Sequence, residues 1–164
     1  MSRKPSILIV DDKESMLKML SQLLKDEYDV QTFSSARDAL KELPDEPADL
    51  LLTDIRMPGT DGMDLLRTVK EESPDTEVML MTAFATVEQA VEAVKAGAYN
   101  YLTKPFEPDE LKIAIEKALE RKQLREEAQI LKEQVEQRYG FPNIVGESEA
   151  MKLAFELARK AAES

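Results

Sequence analysis

Ile7-Leu8-Ile9-Val10-Asp11-Asp12 and Leu50-Leu51-Leu52-Thr53-Asp54 decide the fold of this chain, because each is a short apolar run that stops at a carboxylate. Two further runs behave alike: Val78-Met79-Leu80-Met81 ends at Thr82, and Tyr101-Leu102-Thr103 ends at Lys104-Pro105. Short apolar runs without alternation predict strands covered on both faces of a parallel sheet. One rim of that sheet then carries three carboxylates, a hydroxyl and an ammonium. Such crowding is costly unless a cation and a reacting anion occupy it. The pattern therefore predicts a chemical site rather than a packing device.

Between the runs lie helical patterns. Met16, Leu17, Leu20, Leu23 and Leu24 recur at helical spacing over residues 14–25. Residues 28–33 alternate as a strand, and Ser35 is placed to cap a helix over 36–43 that ends before Pro44. Residues 49–53 form a strand. After Pro58-Gly59, Met63, Leu65, Leu66 and Val69 make a helix that ends near Ser73-Pro74. Residues 77–81 form a strand, Thr86 caps a helix over 87–96, and Gly97 stops it. A strand over 98–102 and a helix opened by Glu107-Pro108 follow. Five βα units with short connections predict an α/β fold, a parallel sheet wound right-handed between helices. Ligands of such sheets sit outside the carboxyl ends of the strands, where Asp11, Asp12, Asp54, Thr82 and Lys104 fall.

Composition narrows the chemistry. The chain has 164 residues, a formal net charge of −11, no Cys and no His. That charge opposes nucleic-acid binding by general electrostatics. Disulfides and thiol chemistry are excluded, and most zinc or transition-metal sites with them. Oxygen ligands remain, which suit Mg²⁺, Mn²⁺ or Ca²⁺. No apolar run is long enough for a bilayer, so no membrane partner and a cytoplasmic location are expected.

Phosphoryl transfer asks a protein for a nucleophile, charge neutralisation and positioning. Asp54, at the end of the third strand, is the candidate nucleophile, giving an acyl phosphate. Asp11 and Asp12 become its neighbours if strands one and three are adjacent. A divalent ion resolves their repulsion and bridges to a phosphoryl oxygen. The backbone carbonyl of Arg56 is a further oxygen. Lys104 supplies a compact positive charge and Thr82 a hydroxyl donor. Pro105 is a candidate for a cis bond that holds Lys104.

Asp11-Asp12, the run from Asp54-Ile55-Arg56-Met57-Pro58-Gly59 to Asp61-Gly62, Met81-Thr82-Ala83 and Lys104-Pro105-Phe106 together resemble the receiver domain of bacterial two-component response regulators. The resemblance covers about residues 5–120 and fills every site position of the family. It implies a flavodoxin-like fold with strand order 2-1-3-4-5. It implies Asp54 as phosphoacceptor for a sensor histidine kinase. Mg²⁺ would be bound directly by Asp12, through water by Asp11, and by Asp54 and the Arg56 carbonyl. Thr82 and Tyr101 resemble the family's switch pair.

From about residue 119 to Arg138 the last helix carries no Gly or Pro and is dominated by charge. Leu124, Ala128, Leu131 and Val135 follow 4-3-4 spacing, with Leu at d and Ala or Val at a. Glu120 and Glu127 then fall at g, and Arg125 and Lys132 at e, complementary across a parallel homodimer. Lys117 and Arg121 occupy d and a, so the seam fades upstream. Ser148 is placed to cap a helix over 149–163 whose apolar face is Met151, Phe155, Leu157 and Ala158. Phe141 to Met151 resembles the opening of the AAA+ ATPase domain in NtrC-type activators of sigma-54 RNA polymerase. The expected organisation is a receiver domain at 1–120, an extended helix and coiled-coil linker at 107–138, and the start of a truncated ATPase domain at 139–164. Contacts with sigma-54 polymerase and DNA would belong to domains this chain lacks.

Taken singly, these residues have plainer readings. Asp12 caps the first helix, Asp54 belongs to the turn before Pro58-Gly59, Thr82 is a polar residue approaching a helix, Lys104 lies on the surface and Tyr101 fills core. Convergence on one rim separates the two readings. Two other functions stand beside the receiver: a phosphatase of the haloacid-dehalogenase type and a purely structural dimer module. The first carries its nucleophile on the first strand in a D-x-D-like run; the second leaves a filled acidic site without a purpose.

Overall fold

A computed structural model describes residues 3–138 and 156–162. Strands β1 (Ser6–Val10), β2 (Asp29–Phe33), β3 (Leu50–Asp54), β4 (Glu77–Thr82) and β5 (Asn100–Thr103) alternate with helices α1 (Glu14–Leu24), α2 (Ala36–Glu42), α3 (Gly62–Glu72), α4 (Val87–Lys95) and α5 (Pro108–Arg138). The strands form one parallel sheet in the order β2-β1-β3-β4-β5, as the flavodoxin-like expectation requires.

Successive side chains of a strand point to opposite faces, and two cores follow from that alternation. Leu8, Val10, Leu51, Val78 and Leu80 pack with residues of α2, α3 and α4. Ile7, Ile9, Leu50, Leu52, Met79 and Met81 pack with α1 and with Leu111, Ala114, Ile115 and Ala118 of α5. Central β3 and β4 are buried along their whole length. The expectation of burial on both faces fails for β5, where Leu102 is buried but Tyr101 is half-buried and Thr103 exposed. β5 is an edge strand with one neighbour, and β2 on the other edge is likewise mostly open.

The helix ends follow local chemistry. Ser35 and Thr86 accept the backbone N–H groups of Asp38 and Gln89, as their positions predict. Asp61 caps α3 by accepting from the Asp64 N–H, a cap not foreseen in the sequence. Asp12 caps nothing: Lys13 holds the N-cap position of α1 without a side-chain bond. Gly97, at φ +108°, closes α4 with N–H bonds from Gly97 to the Val94 carbonyl and from Ala98 to the Ala93 carbonyl.

The chain divides into two compact units, Met1–Gln123 and Leu124–Ser164, with the boundary inside α5. In the second unit the described part of α5 is exposed throughout, including Leu124, Ala128, Leu131, Val135 and the unforeseen Ile130. Residues 156–162 are helical and exposed, Leu157 among them. The predicted cap at Ser148, the apolar residues Met151 and Phe155, and the ATPase-like run at 141–151 lie outside the described residues.

Candidate functional site: an acidic pocket at the carboxyl ends of the strands

The strand order puts β1 and β3 side by side, with Val10 opposite Thr53. Their next residues therefore bring Asp11 and Asp54 to one rim. One carboxylate oxygen from each of Asp11, Asp12 and Asp54 lies within 4.8 Å of the others. Asp11 has no exposed surface and Asp54 is buried, whereas Asp12 is exposed. Lys104 reaches in from the end of β5, its Nζ 2.8 Å from Asp11 Oδ2 and 3.5 Å from Asp54 Oδ1. The Lys104–Pro105 peptide is cis, as anticipated.

Asp11 is fully engaged, because its Oδ1 accepts the Lys13 N–H at 2.9 Å and its Oδ2 accepts from Lys104. Asp54 Oδ1 accepts the Ile55 N–H at 3.0 Å. Burial is the strongest influence on Asp54 and pushes its carboxyl above the ordinary value; the Lys104 ammonium opposes this, Asp11 reinforces it, and the Ile55 N–H opposes it again. Three carboxylates against one ammonium leave two negative charges in a small space. The donor set is entirely oxygen and its charge deficit is that of one divalent ion, so the residues fit Mg²⁺. Asp12 and Asp54 have the more open oxygens; both oxygens of Asp11 already accept hydrogen bonds, from the Lys13 N–H and from Lys104.

The backbone beneath the pocket is tightly built. The Gly62 N–H donates to the Ile55 carbonyl at 2.8 Å. A Cβ on Gly62 would run into the Asp54 carbonyl oxygen and stand 2.7 Å from the Ile55 Cα. Gly62 thus fixes the loop that carries Arg56, a role that a glycine opening a helix hinted at only weakly. The Arg56 side chain is turned outward over the ring of Phe84, 4.7 Å from its centroid.

Thr82 and Tyr101 are positioned differently from the other candidates. The Thr82 side chain is buried at the end of β4, and its hydroxyl accepts the Phe84 N–H at 3.1 Å. Tyr101 packs half-buried against the α4 side of the sheet, where its hydroxyl donates to Gln89 Oε1 at 3.1 Å. Phe84 and Gln89 were not singled out in the sequence; neither has a spacing signal, since each matters only through a loop or helix contact.

An acidic pocket at the carboxyl ends of a 2-1-3-4-5 parallel sheet is the arrangement of a receiver class of domain, and the comparisons with known proteins agree on that class. Residues 7–116 match the family model described as "Response regulator receiver domain", and the chain belongs to that family. Among curated relatives it is similar to "Regulatory protein AtoC" of Escherichia coli K12, 36% identical over 146 residues, covering 88% of this chain and 32% of that protein. It is also similar to "DNA-binding transcriptional regulator NtrC" of Proteus hauseri, 36% identical over 160 residues, covering 94% and 32%. The chain thus spans about a third of the length of such relatives. Among solved structures, the beryllofluoride-activated NtrC4 receiver domain dimer matches with a TM-score of 0.69 and 36% identity, covering 71% of this chain and 98% of that one. No described helix is long and apolar enough to cross a membrane.

Proposed function

We propose that this chain is the phosphoacceptor module of a response regulator, in which Asp54 takes a phosphoryl group from a sensor histidine kinase. An Asp54 carboxylate oxygen forms the new O–P bond as the P–N bond to the kinase histidine breaks; the bond pair stays on that nitrogen, and with the other ring nitrogen protonated the leaving group is a neutral imidazole. Lys104 neutralises one phosphoryl oxygen, and Thr82 turns its hydroxyl from the Phe84 N–H toward another. Asp12, Asp54, the Arg56 carbonyl and, through water, Asp11 would hold Mg²⁺, which would supply the remaining charge neutralisation when bound. The observation that carries this reading is the convergence of Lys104 with Asp11, Asp12 and Asp54 in one pocket with a net deficit of two positive charges.

The role is regulatory, with Asp54 modified stoichiometrically rather than turning over a substrate. Tyr101, released from Gln89, follows Thr82 inward and alters the surface of α4, β5 and the start of α5. Residues 1–120 form the receiver, 107–138 the helix and parallel coiled-coil linker, and 139–164 the opening of an AAA+ ATPase domain. Relatives that align beyond the family's own stretch support that organisation. Leu124, Ala128, Leu131 and Val135 pair two copies of the chain; the similar NtrC4 receiver domain is itself a dimer. In the full-length protein the switched dimer would control an ATPase acting on sigma-54 polymerase at DNA.

Intact mass after incubation with acetyl phosphate and Mg²⁺ tests the assignment. One phosphoryl group is expected on the native chain and none on Asp54→Asn, and none on either without a divalent ion. An equal gain on the Asp54→Asn chain would refute it.

A further inference from the structure

The inward stripe of α5 changes character where it reaches the opposite rim of the sheet. Leu111, Ala114, Ile115 and Ala118 are buried apolar residues, and the next positions on that side are Arg121 and Lys122. Lys122 Nζ stands 3.1 Å from Asp49 Oδ1, and its side chain is only 13% exposed. Arg121 Nε stands 3.8 Å from Oε1 of Glu77, a carboxylate with no exposed surface, and the Arg121 guanidinium lies 5.3 Å from the centre of the Tyr99 ring. Asp49 and Glu77 are themselves joined, the Glu77 N–H donating to the Asp49 carbonyl at 3.0 Å. Asp49 also accepts the Ser6 N–H at 2.8 Å, so β1, β3 and β4 all enter this one cluster. A buried carboxylate at the foot of a hydrophobic layer is retained at a cost, and removing its cation is more costly still.

The position of Arg121 gives the cluster a consequence. Counted in the heptad of Leu124, Ala128, Leu131 and Val135, Arg121 stands at the next a position upstream. Its side chain cannot fill an a position of a coil while it stays on Glu77 and Tyr99. Leu124 follows Lys122 by two residues.

We infer that Glu77–Arg121 and Asp49–Lys122 form a clamp that holds α5 on the sheet and fixes the upstream limit of the dimer seam. The clamp is therefore the joint through which the receiver passes its state to the seam. That last step rests on the proposed phosphorylation of Asp54, whereas the clamp itself does not. Arg121 and Lys122 act as positioning residues and touch no phosphoryl group.

Two measurements on the full chain separate these claims. The first is amide hydrogen exchange at residues 117–123 in the native chain, in Lys122→Met and in the double variant Asp49→Asn with Glu77→Gln. Loss of charge-assisted contacts is expected to speed exchange there by about tenfold while the β1 and β3 amides stay protected; rates equal to the native ones in Lys122→Met would overturn the clamp. Lys122→Met lies at the margin of the cluster and keeps the test valid should the double variant unfold. The second is the dimer dissociation constant with and without beryllofluoride and Mg²⁺. The native constant is expected to shift and the Lys122→Met constant to shift less, with acetyl phosphate still modifying Asp54 in both. A native-sized shift in Lys122→Met would overturn the role as a joint. A native chain that fails to take a phosphoryl group would instead count against the proposed function, and the exchange measurement would still decide the clamp.

Discussion

At the carboxyl ends of the strands, Asp11 and Asp54 share one ammonium, that of Lys104, and Asp12 adds a third carboxylate beside them. At the amino ends, Glu77 meets Arg121 and Asp49 meets Lys122, with the exposed Arg3 3.6 Å from Asp49 and Ser6 bonding Asp49 as well. One sheet thus carries a rim with surplus negative charge and a rim whose charges are matched. The surplus rim is where a cation and an anion can be accepted, because its residues gain most from a partner that arrives and leaves. At the matched rim each carboxylate already has a cation from the chain itself, as the proposed clamp requires. Function and stability are therefore separated along the strand axis.

The contrast is most sharply broken at Gly62. Any side chain there collides with backbone of Asp54 and Ile55, which has no rotamer to yield. Gly62→Ala is expected to cost about 4 kcal/mol of stability and to abolish phosphoryl acceptance. Gly59→Ala is the control: unlike Gly62 it carries a positive φ, but a Cβ there meets nothing within 4 Å, so its cost should be about 1 kcal/mol with acceptance intact. Urea unfolding and intact mass check both.

Removing Lys104 tests the surplus directly. Lys104→Met leaves three clustered carboxylates without a resident cation and is expected to destabilise the metal-free chain by about 2 kcal/mol. Saturating Mg²⁺ should restore part of that loss, while phosphoryl acceptance stays impaired because the lysine also faces the incoming group. A midpoint that Mg²⁺ does not raise would remove the electrostatic account of this rim.

Most of the architecture was legible in the sequence because burial on both sides leaves a loud signal. Leu50-Leu51-Leu52 and Val78-Met79-Leu80-Met81 admit little but central parallel strands, and the carboxylates that end such runs must share a rim. The edges were harder: Tyr101-Leu102-Thr103 has the same apolar opening but lacks a second neighbour, so its burial was overestimated. Asp61 was missed as a cap because Pro58-Gly59 already explained the loop. Neither the Arg56–Phe84 stacking nor the Tyr101–Gln89 bond has a sequence period, since both join elements whose separation only the folded sheet sets. Glu77 was hidden inside a strand, where a lone charge before an apolar run passes for an entry residue.

The smallest expected effect gives the comparison its finest test, because the two rims should respond to acid with opposite signs. Burial works to raise the Asp49 carboxyl, but the Ser6 N–H, the Lys122 ammonium and the Ser6 hydroxyl outweigh it and hold the group below its ordinary value. A depressed acid is stabilising above its unfolded pKa, and that contribution disappears as the pH falls through the folded value. Asp54 is raised, so its ionised form carries a penalty above the raised value, and acid relieves it as the pH falls toward the ordinary carboxylate range. Asp49→Asn should therefore lower the unfolding midpoint at neutral pH and converge with the native chain in acid. Asp54→Asn should raise the metal-free midpoint at neutral pH, again converging in acid but from above. Thermal melts from neutral pH to about pH 3, near the ordinary carboxylate range, read both curves. If the two variants deviate in the same direction, the division of the sheet into a surplus rim and a matched rim fails.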